Sequence, residues 1–126
     1  MVYKVDGRIY GFSDTVTVEF HKIDELFATI KDSDNEAVSF TLVNPFRLRE
    51  YAFDLADDVK VLLDINEETN ILVYNIVIIQ DPLDASKINF LAPLILNEDN
   101  QTMAQIILKP EEYPDFGMAE SIQSFR

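Results

Sequence analysis

Ile71-Leu72-Val73-Tyr74-Asn75-Ile76-Val77-Ile78-Ile79-Gln80 is the stretch on which the reading of the fold turns. It is nearly continuous in apolar character, which fits a long strand covered on both faces and lying centrally in a sheet. The polar residues Asn66 to Asn70 lead into it and Asp81-Pro82 closes it, since proline has no N–H to give to a ladder. The same run is the longest apolar one in the chain, yet Tyr74 and Asn75 interrupt it and it falls far short of the roughly 20 residues needed to cross a bilayer. No membrane span is expected.

Outward from this segment the pattern repeats on a smaller scale. Downstream, Ser86 to Asn97 and Met103 to Leu108 read as two further strands, the first interrupted by Pro93 and the two joined by the polar turn Asn97-Glu98-Asp99-Asn100-Gln101. Upstream, Thr15 to Phe20 alternates, placing Val16, Val18 and Phe20 on one strand face. Ile23 to Ile30 fits either a helical stripe or a strand, and periodicity leaves it open. The strand reading is preferred because Asp32 to Glu36 forms a polar turn into the β-rich Val38 to Val43, which completes a hairpin ended by Asn44-Pro45. Asp6-Gly7, between Val2 to Val5 and Ile9 to Phe12, signals a first hairpin. One helix is expected at about residues 55–63, with Asp54 as N-cap, Leu55, Val59, Leu62 and Leu63 as the buried stripe, and Asp57 and Asp58 at the positive end of its dipole.

Many short strands, short turns and a single short helix make the fold class mainly β: a small antiparallel, closed or nearly closed β-barrel-like domain. With 126 residues and no linker or repeat, one domain is expected over 1–109. Residues 110–126 change composition and are expected to lie along the surface or be flexible.

Composition narrows the chemistry. There are 23 acidic and 10 basic residues, a formal net charge of -13, and the basic residues are scattered singly apart from Arg47 and Arg49. Nucleic-acid binding needs clustered Lys and Arg to displace phosphate counterions, so direct contact with nucleic acid is not expected; a basic protein partner would be attracted. The chain has no cysteine and one histidine, His21, and carries none of the nucleophile-elbow, phosphate-loop, zinc-protease or dinucleotide signatures. No catalytic residue, cofactor or metal site is therefore nominated. Asp32, Asp34 and Glu36 imitate the start of a calcium loop, but Ala37 and Val43 stand where glycine and a bidentate glutamate are needed. Asn100-Gln101-Thr102 matches a glycosylation acceptor, but no secretory signal is visible at Met1 to Asp6, and a cytoplasmic address is expected.

Two segments combine asparagine, proline and aromatic residues beside a strand: Asn44-Pro45-Phe46 and Asn89-Phe90-Leu91-Ala92-Pro93-Leu94. A strand broken by proline leaves an opening that can accept a partner chain. With Gly11-Phe12, Tyr51-x-Phe53-Asp54 and Thr102-Met103-Ala104-Gln105-Ile106-Ile107-Leu108, they make the chain resemble the FliW family of flagellar assembly factors, in a form similar to epsilonproteobacterial members. The resemblance implies a non-enzymatic protein that binds cytoplasmic flagellin through its C-terminal region and, by partner switching, antagonises the translational repressor CsrA. It also implies partner contacts at Asn44, Pro45, Phe46, Tyr51, Asn89, Ala92 and Pro93. A flagellin-only secretion chaperone and a small ligand-binding β-barrel are the alternatives.

Overall fold

β5 (Ile71–Ile78) is bonded on both edges, as its apolar character requires. In the computed structural model, which describes residues 1–125, it joins β1 (Val2–Lys4), β2 (Thr17–Lys22), β3 (Phe27–Asp32), β4 (Asn35–Val43), β6 (Lys87–Ile88), β7 (Leu94–Asn97), β8 (Thr102–Gln105) and β9 (Glu120–Ser121), with one α-helix, α1 (Asp57–Leu63). Hydrogen bonds run β4-β3-β2-β1-β8-β7-β5 and return from β5 to β4, closing a ring. Every pairing in the ring is antiparallel except the single parallel bridge Lys4 to Thr102 between β1 and β8. The fold is mainly β and closed by its hydrogen bonds, as the sequence implied.

The ring interior is filled by side chains from every wall, with Tyr3, Ile30, Leu42, Leu94, Leu96 and Met103 essentially inaccessible. Two aromatic contacts across it, Tyr3 with Phe20 and Phe20 with Tyr74, are edge-to-face, the arrangement that ring quadrupoles favour. A second cluster forms at one end around Val43, Tyr51, Phe90 and Ile122. A third lies outside the sheet, where α1 sets Leu63 against Ile95 and Ala104.

Several local expectations need correction. The Asp6-Gly7 turn exists, with φ of 45° and 74° and the Arg8 N–H bonded to the Val5 carbonyl at 2.8 Å. Ile9 to Phe12, however, is no strand. Gly11 takes φ 90°, which breaks extension, and Ile9 and Phe12 turn inward to plug the ring; β1 pairs with β2 instead. Nor does Val16 share the buried face: both Val5 and Asp6 N–H groups bond its carbonyl, a bulge that flips the alternation, so Thr15 is buried and Val16 is exposed. The helix starts two residues later than 55, with Ala56 as an N-cap that makes no side-chain bond. Asp54 does not cap it; its N–H bonds the Tyr113 hydroxyl at 3.0 Å. The stripe turns accordingly, so Leu63 is buried, Val59 half-buried and Leu62 exposed.

The break at Pro93 has a defined geometry. β6 and β7 lie on the same edge of β5, but Val77 pairs with Ile88 while Tyr74 pairs with Leu94, so the outer strand holds three residues more than β5 across the gap. Asn75 sits opposite that gap and is fully buried. Its side-chain amide bonds the Asn89 carbonyl at 2.9 Å, replacing the ladder contact that the bulge removes. Beyond β8 the backbone keeps contact with the bulged segment, Ile106 N–H bonding Pro93 and Leu108 N–H bonding Leu91. After Lys109 the chain folds back, β9 pairs with β6, and Ile122 enters the second cluster.

Candidate functional site

The two asparagine-proline motifs meet at one end of the ring through Tyr51. Asn44 accepts the Phe46 N–H at 3.0 Å on its side-chain oxygen, and Pro45 supplies the fixed φ that opens a 3-10 turn. Pro45 is buried by this, and Phe46 is held out with 54% of its surface exposed. Tyr51 lies beneath, its ring 6.1 Å from Phe46, 5.4 Å from Phe53 and 5.5 Å from Phe90. The Tyr51 hydroxyl donates to the Phe90 carbonyl and accepts from the Asn75 amide at 3.3 Å, and Asn75 in turn holds Asn89. Asn89 closes its own turn by accepting the Leu91 N–H at 3.0 Å.

Of the residues expected to make contacts, Phe46 and Tyr51 line a common groove, while Asn44 and the buried Pro45 shape the turn that holds Phe46 out. Ala92 and Pro93 are buried in the strand break, with their carbonyls taken by Gln105 and Ile106. Asn89 is half-buried, its carbonyl linked to Tyr51 through the Asn75 amide. The groove occupies about 520 Å³ and is floored by Phe53, Ile65, Ile71, Val73 and Ile95, with Asp54 and Glu67 among its polar edge residues. Phe53, Ile71 and Asn75 were not among the expected contacts. Ile71 and Asn75 belong to the apolar run of β5 and Phe53 lies just ahead of α1, and nothing in either pattern separates a groove floor from a core.

Arg49, in the turn between the two motifs, was also missed. Its guanidinium lies 4.9 Å from the centre of Phe116 and 5.3 Å from that of Phe90, and it bonds the Asp115 carbonyl and the Glu120 carboxylate. One planar cation thus ties the residues after Lys109 to the Tyr51 cluster. Tyr113 adds a second tie through Asp54, stacking on Phe116 at 5.4 Å.

Burial pushes the Tyr51 phenol up to about 12 despite the opposing Asn75 hydrogen bond and Arg49 charge. Its value is raised in the folded state, so its share of stability is intact below the unfolded phenol's pKa of about 10 and is lost as pH climbs from there through about 12. Tyr51→Phe is expected to cost about 1–2 kcal/mol at neutral pH, since the Phe90 carbonyl loses its donor. The gap between variant and parent should then shrink above pH 10; urea unfolding at pH 8 and pH 11.5 checks this, and a gap constant with pH refutes it.

Asp32 is held below the usual carboxylate range, first by the Asp34 N–H and then by the Thr15 hydroxyl at 2.7 Å. One oxygen closes the β3–β4 turn on the Asp34 N–H and the other holds the Thr15 hydroxyl ahead of β2. His21 stands exposed near the end of β2.

Residues 1–116 match the family model described as FliW protein. The chain is 49% identical over 125 residues to Flagellar assembly factor FliW 2 of Wolinella succinogenes, covering 99% of this chain and 92% of that relative. It is 42% identical over 125 residues to Flagellar assembly factor FliW of Sulfurimonas denitrificans, covering 99% and 98%. A crystal structure of the flagellar assembly factor FliW superposes with a TM-score of 0.86 at 23% identity, over 96% of this chain and 84% of the other, a likeness of fold. With the family model spanning nearly its whole length and these relatives matching end to end, the chain belongs to the FliW family of flagellar assembly factors.

Proposed function

We propose that this protein binds flagellin in the cytoplasm, seating an apolar-faced helix from the flagellin C-terminal region in the Phe46–Ile71 groove, and that it binds CsrA in alternation with flagellin. The observation that carries the reading is an open apolar groove, with carboxylates on its edge, on a body whose interior is filled. A groove of that kind suits a helix bearing apolar residues on one face. The net charge of -13 suits a basic RNA-binding repressor, and an acidic body docked beside an RNA site raises the cost of bringing phosphate there. Among the described residues no helix is long and apolar enough to cross a membrane, which is compatible with work in the cytoplasm.

Titration calorimetry against flagellin and CsrA of the same organism, each alone and in competition, tests the proposal. The CsrA complex should weaken about tenfold or more between 50 and 300 mM salt, because its attraction is a screened surface field. The flagellin complex, resting on apolar burial, should change much less. Binding of flagellin alone would reduce the role to that of a secretion chaperone, and binding of neither would overturn it.

A further inference from the structure

On the face of the sheet covered by α1, the continuation of β8 has one paired edge and one open edge. Ile106 and Leu108 direct their N–H groups to Pro93 and Leu91, at 3.0 and 2.7 Å. Strand alternation therefore turns the backbone of Ile107 to the other side. At Gln105 that side is occupied, its N–H bonding the Arg8 carbonyl at 2.9 Å, and the Gln105 side chain fixes the Tyr10 N–H at 3.0 Å. There the neighbouring chain leaves. Among the described residues, Ile107 N–H and C=O and Lys109 N–H take no partner.

The open edge faces a groove of about 870 Å³ between Tyr10, the helix residue Val59 and Tyr113. Ile107 is 58% exposed and Tyr10 67% exposed, so an incoming chain meets apolar side chains as well as unpaired backbone. Asp54, Asp58 and Glu112 line the same groove against Lys109, an acidic excess within an acidic protein. Unpaired backbone at strand spacing selects an extended chain, and the carboxylates select one carrying lysine or arginine.

We propose that the Ile107–Lys109 edge binds an extended, basic peptide segment of a partner protein by strand addition, in a groove that adjoins the Phe46 groove at Asp54 but holds none of its aromatic residues. Backbone bonds to Ile107 and Lys109 set the register, and Asp58 and Glu112 meet the cationic side chains.

The probe is an acetylated, amidated heptapeptide of alternating lysine and valine, titrated into isotope-labelled protein and followed by amide NMR. Expected are shifts and slowed amide exchange at Ile107 and Lys109, at least tenfold weaker binding to Ile107→Pro, and no binding of the glutamate-for-lysine peptide. Ile107→Pro removes a donor the fold does not use; should it fail to fold, the same peptide N-methylated at its central valine, tested on the parent protein, must show the same tenfold loss. Phe46→Ala should leave this binding unchanged, which keeps it distinct from the groove proposed for flagellin. Shifts centred on Phe46, equal binding to the proline variant, or no shifts at millimolar peptide would overturn the proposal. So would a dimer in sedimentation that Ile107→Pro abolishes, because a second copy would then own the edge.

Discussion

Phe46→Ala combined with Ile71→Ser is expected to weaken binding of a flagellin C-terminal helix at least about a hundredfold while lowering Tm by no more than about 5 °C. Phe46 is 54% exposed and Ile71 39% exposed, so neither carries much of the core in the free protein. In the proposed complex both become buried, Phe46 against the helix and Ile71 as part of the floor of the groove. Truncating a central interface aromatic commonly costs about 2 kcal/mol or more, roughly thirtyfold in affinity. Removing the branched floor side chain adds a void beneath the same helix. Calorimetry on the double variant reads the affinity, and thermal unfolding reads the fold. CsrA binding, if it rests on charge, should survive within about threefold. A change in flagellin affinity below threefold would place the helix elsewhere.

The parts of the fold that were legible in the sequence are those where one physical signal acts alone. In the hairpin from Phe27 to Val43, the β-rich Val38 to Val43 and the polar turn before it decide an upstream flank that periodicity leaves open, and the hairpin forms with its turn at Asp32 to Asn35. The centrality of β5 follows from its lack of a polar face. Errors arose where two short-range signals competed. Asp6-Gly7 does adopt turn geometry, but the ladder along Thr17 to Lys22 offers β1 a better partner than a segment broken by Gly11. At α1, Asp54 has the right side chain for a cap, yet its backbone N–H is taken by Tyr113, 59 residues away, and the helix begins after Ala56. No window of local sequence contains that contact.

The candidate site was legible in part for the same reason. Asn44-Pro45-Phe46 builds its turn from neighbours within two residues, so the motif itself predicts an aromatic held outward. Asn89 and Pro93 point to a strand opening, and the three-residue offset between β6 and β7 is that opening. What fills it, Asn75, lies on another strand and reads in sequence as a flaw in an apolar run. Arg49 is hidden likewise, because its meaning comes from Phe90 in the distant strand break and from Phe116 and Glu120, which approach only when the chain after Lys109 folds back.

Asn97→Ala should be the most damaging single polar substitution at the helix side of the molecule, costing about 3–4 kcal/mol and lowering Tm by roughly 10–15 °C. Asn97 is 1% exposed at the end of β7. Its amide donates to the Leu63 carbonyl at 2.7 Å, and its oxygen accepts the Asp99 and Asn100 N–H groups at 2.9 and 3.3 Å. Asn100 adds a bond of 3.0 Å to the same Leu63 carbonyl. The side chain therefore joins the β7–β8 turn to the end of α1, where Asp64 takes φ 55° and the helix has no other way to satisfy that carbonyl from within. Alanine removes both connections: the Asp99 and Asn100 N–H groups lose their acceptor, and the Leu63 carbonyl keeps only the Asn100 amide. Asn97→Asp separates shape from chemistry: it keeps the acceptor, but an ionised carboxylate cannot donate to Leu63, so the loss should match or exceed that of alanine at neutral pH. Because α1 walls the Ile107 groove through Val59 and edges the Phe46 groove through Lys60, loosening it should weaken ligands at both. Denaturant unfolding together with both binding titrations checks this. A large stability loss with both affinities intact would mean that α1 stays docked through Leu63 alone.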